Sequence, residues 1–553
     1  MDKRLSIALL LTAIVVAVTP ILFPTPRRAP STPAAGPEQK TESAAVQLPA
    51  PAVSQPAPVQ RGVVIDSSAQ ASSPDVLQGE VTTVDTRRAI YQFSSLGATP
   101  VSVTMKDYQN LSASKGLVDL KVPGRSLIRY SLVAQGDTIP LDNLSFQKSE
   151  LANAGGGRAI TYRANAGNTV VTVSYVVSPD KYVVQTSGRV DGVSGPSFLL
   201  IDMPSSLPAT EADTIGDIRT RSYSLKPTRS NARGIPFEKL DPGEKRLEAE
   251  PMTWAAVRNK YFVVGLINPE GSTFEEMTIT GGPRTSKVAT TASAVVVKAV
   301  RDGAFAFDIY AGPQQSTELL ALGRDFDNVN PYGWSFLQPV VNPIAALCIK
   351  LLLWLHDTFK LSYGWVLVIF GIFIRIALWP LNQSAMRSSL KMQEIQPRLA
   401  EVQKKYKDKP ERQREEMMKV YREAGASPFT ALSGCLPMLI PMPVLFALFF
   451  VFQNTIEFRG VPFLWLADIS VKDPFYILPV LMGVSMYILS WIGLRNAPPN
   501  PQAKMMSYMF PVMMTFVLAN MASGLNLYYT AQNLAALPQQ WLLAKERQRA
   551  RKT

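Results

Sequence analysis

The sequence predicts a polytopic α-helical membrane protein of six spans, with a large all-β sandwich on one side of the membrane and a helical hairpin on the other. Three observations predict it. Apolar residues make up 47% of the 553-residue chain but gather at the extreme N-terminus and after about Ile344, where they form runs long enough to meet lipid. Between about Gly62 and Asp325 the apolar residues instead alternate with polar ones, the period of half-buried strands. Lys and Arg, which give a net charge of +13, sit largely beside the apolar runs, so anionic lipid rather than nucleic acid is the expected counterpart of that charge. The length itself requires at least two folded units.

Composition also excludes chemistry. Cys348 and Cys435 lie in separate apolar surroundings, which leaves no disulfide framework and no thiol pair for a metal. His356 is the only histidine, so any mechanism that needs two imidazoles is excluded, and no Ser/His/Asp triad exists except one built on that residue. There is no GxxxxGK[ST] loop. We therefore expect no catalytic residue, cofactor or metal site, and a function other than that of an enzyme.

Taken in order, residues 1–23 place Lys3 and Arg4 before an apolar run from Leu5 to Phe23. That run is longer than a cleaved signal peptide needs and about long enough to span a bilayer at ~1.5 Å per residue, so it reads as an uncleaved anchor. Residues 24–60 are rich in Pro, Ala, Ser and Gln with almost no large apolar side chain. Such a segment buries too little to offset its ordering entropy and reads as a linker. Residues 61–328 carry the strand pattern, for example Val101, Val103 and Met105, then Val171, Val173, Tyr175 and Val177, then Phe305, Phe307 and Ile309, with Gly, Pro, Asp and Asn between runs. A β-sandwich is the natural packing of such strands. Residues 329–360 mix Lys350, Trp354 and His356 with apolar neighbours and read as an interfacial amphipathic helix, with His356 on its polar face.

Five apolar segments follow, at 361–381, 429–453, 474–494, 505–522 and 523–543. The 382–428 stretch between the first two carries eleven Lys or Arg and seven Asp or Glu, a local balance of +4. Met392, Ile395, Leu399, Val402 and Tyr406 recur at spacings of three and four, Lys409-Pro410 makes a turn, and Met417, Tyr421 and Ala424 resume the stripe. This predicts an antiparallel helical hairpin, bent at Pro397. The basic residues of the N-terminus, the hairpin, the 495–504 loop and the 544–553 tail all fall on one side, while the β domain, the 454–473 loop and a short turn near Ser523 fall on the other. By the positive-inside rule both termini are cytoplasmic and, in a bacterium with two membranes, the β domain is periplasmic.

Arg375 is the strongest pointer to function, because it stands inside the apolar stretch from Val366 to Trp379 and no Asp or Glu lies in any of these spans. An Arg at mid-span costs about 2.5–3.5 kcal/mol even on the lenient insertion scale, so something must offset it. Two readings remain open: the side chain snorkels to the cytoplasmic interface, ~9 Å away along the helix, or it faces a water-filled cavity in the bundle as a charge available to a partner. Pro437, Pro441 and Pro443 break helical bonding in the third span, and Tyr528, Tyr529, Thr530, Gln532 and Asn533 give the last span polar groups that prefer a bundle interior. Packing alone or a groove wall accounts for either.

The stretches FIRIALWPL, KMQEIQP, SPFTALSGCLPMLIPMPV, DPFYILPVLMG and SGLNLYYTAQNL, in unbroken order over roughly residues 330–545, closely resemble the YidC/Oxa/Alb family of membrane protein insertases. The outward β domain is a feature of its Gram-negative members. The resemblance implies a bacterial inner-membrane insertase and chaperone, working alone or with the Sec translocon, in which five spans form a hydrophilic groove open to the cytoplasm and to lipid. Arg375 would be its positive centre, with Gly371, Met442, Leu445 and Tyr529 at substrate-contacting positions; Tyr528, Gln532 and Asn533 line the groove or pack it. Gly371 and Leu445 stand where other members have a threonine and an aromatic, and the wording from Asn520 to Ala522 also departs from the family's. The implied partners are nascent inner-membrane proteins, the Sec translocon with its accessory subunits, and ribosomes or targeting factors at the hairpin and basic tail.

Competing functions fit less well. A solute transporter with Arg375 as an anion site predicts an internal repeat of broken helices, and none is visible. An intramembrane hydrolase needs a base beside a nucleophile, and the one histidine lies outside the bundle. A mere anchor for the β domain requires neither Arg375 nor five further spans.

Overall fold

The structure is a computed structural model that describes residues 79–550 apart from 155–156, 285–288, 331–337, 381–382, 384–394, 396–397, 408, 424–441 and 495–500. The expected anchor and linker, 1–23 and 24–60, lie outside the described residues, as do the start of the third span and most of the first hairpin arm.

Alternating strands build the β domain as three antiparallel sheets. A four-stranded sheet runs β1 (Val81–Asp85), β2 (Ala89–Ser94), β3 (Thr99–Gln109), β4 (Leu117–Asp119). A nine-stranded sheet has the order β13 (Arg233–Pro236), β12 (Ser222–Pro227), β15 (Met252–Arg258), β16 (Phe262–Ile267), β19 (Ala304–Pro313), β10 (Val183–Asp191), β9 (Thr169–Val177), β8 (Gly157–Ala166), β7 (Gln147–Ala154). A six-stranded sheet has the order β14 (Lys245–Glu248), β17 (Glu276–Gly281), β18 (Ala292–Val300), β11 (Ser197–Asp202), β5 (Arg129–Ala134), β6 (Asp137–Pro140).

The period-two pattern decides which face each strand buries. On β9, Val171, Val173, Tyr175 and Val177 all point inward while the residues between them are half-buried, and on β19 Phe305, Phe307 and Ile309 are buried beside exposed Ala306 and half-buried Asp308. The nine- and six-stranded sheets meet face to face. The Tyr175 hydroxyl donates to the Ala98 carbonyl at 2.6 Å and lies 3.1 Å from the Tyr130 hydroxyl of β5. The Phe307 ring sits 6.4 Å from Tyr130 and 6.3 Å from Phe274. Each such side chain contributes ~1.5–3 kcal/mol by leaving water. Two short helices, α1 (Thr214–Arg219) and α2 (Ser316–Leu322), lie in connections of this domain.

Beyond the β domain the described chain is helical: α3 (Gln338–Phe359), α4 (Tyr363–Ala377), α5 (Pro410–Glu423), α6 (Met442–Asn454), α7 (Ile477–Leu494), α8 (Pro501–Leu518) and α9 (Ser523–Ala550). In the hairpin, Ile395 and Leu399 bury themselves against Tyr421, flanked by Met417 and Val420 of α5.

By length and composition the described helices show fewer than the six expected spans. Among the described residues two helices are long and apolar enough to cross a membrane, α3 and α7, while residues 363–377, 444–454 and 507–518 form shorter apolar helices. One of the two is the helix expected to lie in the interface: α3 buries Val341, Ala345, Cys348, Ile349, Leu352 and Leu355 on one face and turns Leu347, Trp354 and Phe359 outward. The helix around Arg375 is interrupted at Leu378, whose N–H donates to the carbonyls of both Ile374 and Ile376, and the chain is helical again at Trp379 and Pro380. His356 is not simply on a polar face. Lys360 adopts φ 53°, so the chain folds back, and the His356 ring stacks 4.1 Å from Tyr363 while Nδ1 lies 2.7 Å from the Leu361 carbonyl.

Candidate functional site

The Arg375-bearing helix and the last helix approach closely because Gly371 has no side chain. A Cβ there would lie 3.0 Å from the Tyr528 carbonyl oxygen and 3.3 Å from the Ala531 Cβ, tighter than most real contacts. Beside that crossing, the Phe370 ring sits 5.8 Å from Tyr528, and Tyr528 is edge-on to Tyr529 at 5.1 Å. Four residues after Gly371, on the same face of α4, comes Arg375.

Arg375 is half-buried, and its Nη2 donates to the Gln539 Oε1 at 2.8 Å. Gln539 is 1% exposed and donates in turn, at 3.4 Å, to the Trp379 carbonyl of the chain that carries Arg375. The Arg375 Nε is buried with no hydrogen-bond partner among the described residues, and none of the ion pairs among those residues includes Arg375. A guanidinium held by a neutral amide keeps its whole charge, and a guanidinium edge with unused donors is a ready receptor for a carboxylate.

The structure brings some of the expected site residues together and separates others. Gly371, Arg375, Tyr528 and Gln532 share the α4–α9 crossing; the Gln532 backbone nitrogen lies 3.4 Å from a Cβ built at Gly371. Tyr529 follows on α9, with its hydroxyl buried and unpartnered among the described residues. Asn533 points elsewhere, donating to the Ser485 Oγ of α7 at 3.0 Å, while that hydroxyl donates to the Met482 carbonyl at 2.7 Å. It ties α9 to α7. Leu445 is half-buried on α6, and the Met442 side chain lies outside the described residues. Sequence reasoning missed Gln539 and Ser485. A glutamine past the middle of a long helix is unremarkable by itself, and only the fold brings it 2.8 Å from Arg375.

Two family models match successive parts of the chain: the YidC periplasmic domain over residues 81–346 and the 60Kd inner membrane protein over residues 354–551. The membrane protein insertase YidC of Chlorobaculum tepidum is 30% identical over 537 residues, covering 91% of this chain and 87% of the relative. That of Pelodictyon phaeoclathratiforme is 30% identical over 584 residues, covering 99% and 95%. A crystal structure of an active YidC insertase with its first transmembrane domain resolved aligns at 19% identity and a TM-score of 0.34, covering 84% of this chain and 93% of the other. With identity sustained across nearly the whole length of both chains, the β domain is the family's periplasmic domain and the helices that follow are its inner-membrane part: the chain belongs to the YidC family of membrane protein insertases.

Proposed function

We propose that this chain inserts and helps fold integral membrane proteins through a hydrophilic groove centred on Arg375. Family membership supplies the general insertase and chaperone activity; the groove is our reading of this chain. The observation that carries it is an arginine inside an apolar helix whose described partner is the neutral Gln539 and not a carboxylate. At an effective dielectric constant of ~20, a carboxylate 4 Å from such a charge gains ~4 kcal/mol, enough to draw an acidic client segment off the cytoplasmic surface. Gly371, Met442, Leu445 and Tyr529 would contact the client, with Tyr528, Gln532 and Asn533 shaping the wall. The client's apolar segment then slides into lipid, driven by burial of apolar area. For acidic segments moving outward, the membrane potential adds ~2.3 kcal/mol per charge per 100 mV.

The same reading keeps six spans, cytoplasmic termini, and a cytoplasmic hairpin and basic tail that meet ribosomes or targeting factors, with the Sec translocon and anionic lipids as neighbours. It is supported by the sidedness of Lys and Arg. The test is client insertion in cells depleted of the resident insertase and complemented by this chain or by Arg375→Ala. Restoration by the wild type and failure of the variant with acidic clients, at equal abundance, is the expected result. A second reading has its own observation: the Arg375–Gln539 bond joins α4 to α9, so Arg375 is a structural fastener.

A further inference from the structure

The segment joining α6 to α7 makes more contacts of consequence than a connector needs. Toward the bundle, Phe458 stacks on Phe452 at 5.1 Å and meets Tyr363 edge-on at 5.4 Å. Phe463 lies 5.4 Å from Trp365 and fills the space over Gly364, where a Cβ would sit 2.0 Å from its ring. The carbonyls of Val471 and Ile469 accept the Ser523 and Gly524 N–H groups at 2.7 and 2.9 Å, fixing the start of α9. Asp473, fully buried, accepts the Leu478 and Phe475 N–H groups at 2.7 and 3.0 Å and starts α7. One loop therefore grips the same ends of α4, α6, α7 and α9.

Toward the β domain, Ile456 is part of that domain's main apolar core, and the Ser316 N–H of α2 donates to the Glu457 carboxylate at 3.2 Å. Arg459 enters the domain: its Nε donates to Glu211 at 2.8 Å, and its Nη2 donates to the Gln109 carbonyl at 2.8 Å and the Thr210 carbonyl at 3.2 Å. The two charged side chains are 4% and 3% exposed, and the guanidinium lies 5.5 Å from the Phe262 ring centre and 5.9 Å from that of Tyr261. A desolvated ion pair contributes little net stability over an apolar contact. What a planar fork with three acceptors adds is geometry, because it admits one register of loop on domain.

We propose that the 455–473 loop is the seat of the β domain on the membrane bundle, and that Arg459 and Glu211 are positioning residues holding the outward ends of α4, α6, α7 and α9 together during insertion. This rests on the insertase reading above. The periplasmic domain is thereby a brace for the outward face and not a tethered appendage.

The experiment uses the full chain in cells with Cys348→Ser and Cys435→Ser, and Ser470→Cys as reporter. Ser470 is 3% exposed within the seat. Labelling by a membrane-impermeant maleimide from the periplasmic side is compared with insertion of a small client. Arg459→Ala is expected to raise the labelling rate roughly thirtyfold or more, the fold-change at the lower end of losing one partner of a buried charge pair. Insertion is expected to fall severalfold. Glu211→Gln, which keeps an acceptor, falls between wild type and Arg459→Ala in both. Should Arg459→Ala not accumulate, Arg459→Lys, which keeps the charge and loses the fork, is expected to raise labelling severalfold.

Unchanged labelling at equal abundance overturns the proposal. Raised labelling with undiminished insertion also overturns it, since the pair would then be structural only. A wild-type chain that restores no insertion defeats the insertase reading instead, and labelling alone then decides the seat.

Discussion

Exchanging Gln539 for leucine separates the two accounts of Arg375. In the structure the amide oxygen of Gln539 accepts from the Arg375 Nη2 at 2.8 Å, and its nitrogen donates to the Trp379 carbonyl. A hydrogen bond to a charged group contributes ~1.5–3 kcal/mol net. Arg375→Ala removes the charge and leaves the amide oxygen of a 1% exposed glutamine without its donor, a cost of ~1–3 kcal/mol. Gln539→Leu leaves the charge in place, and its cost depends on what surrounds the guanidinium. In a dry seam, stranding a buried charge costs ~3–5 kcal/mol. Beside a water-filled groove, water takes the place of the amide and the cost falls to roughly 1 kcal/mol or less. The groove account therefore expects Gln539→Leu to leave the unfolding temperature of the detergent-solubilised chain nearly unchanged and to support insertion of acidic clients in depleted cells, where Arg375→Ala fails. If Gln539→Leu abolishes insertion as completely as Arg375→Ala and destabilises the chain as much, Arg375 is a fastener between α4 and α9 and the charged groove is refuted.

Three further outcomes test other parts of the fold. Gly371→Leu drives a branched side chain onto the Tyr528 carbonyl, already 3.0 Å from a bare Cβ, and overpacking of this kind costs ~1–3 kcal/mol; a lowered unfolding temperature with reduced client crosslinking is expected, and an unchanged one shows that the helices part freely there. Ser485→Ala removes the acceptor of Asn533, and a double-mutant cycle with Asn533→Ala in detergent should give a coupling of about 0.6 kcal/mol, at most ~1.7; strict additivity would deny the α7–α9 bond. Lys298 is 4% exposed among the acceptors of Asn268, Ser272 and Thr273, and burial, then Arg301, holds its pKa down to about 8. Its folded value lies below its unfolded one, so the stabilisation is present above the unfolded pKa and lost as pH falls through the folded one. Protection of the β18 amides against hydrogen exchange, corrected for intrinsic rates, should therefore rise from pH ~8 to ~10, and Lys298→Met should flatten that rise.

The strands were legible because one face of each is buried, so the side-chain period of two is written directly into Val171, Val173, Tyr175 and Val177. Their order was not. β19 pairs with β10 and with β16, and no local pattern records which of many alternating strands lies beside which. Spans were read from hydropathy, which counts side chains and is blind to backbone bonding; the turn at Leu378 interrupts a helix that composition alone would carry to Leu381. Arg375 stood out because its charge violates its surroundings, whereas its partner lies 164 residues away. Arg459 offered no such signal, since an arginine in a polar loop is ordinary until the fold shows it buried against Glu211.

The lengths of the helices bear on why a charge is tolerated where Arg375 stands. At 15 residues α4 is ~22 Å long, against a hydrocarbon core of ~30 Å. Arg375 lies three residues before the break at Leu378, so an arginine that is mid-span in a hydropathy window stands beside an interruption of the folded helix. A short helix set in a thicker bilayer is accommodated by thinning the lipid around it and by snorkelling of flanking residues. In the reading proposed above, either response would bring water nearer to Arg375 and shorten the apolar distance that a client's polar segment must cross. Snorkelling and a hydrated groove are then not wholly separate ways of offsetting the cost of the charge. They differ in what remains to receive the guanidinium, a lipid headgroup or a client carboxylate, and only the second makes the length of α4 part of how the chain inserts proteins.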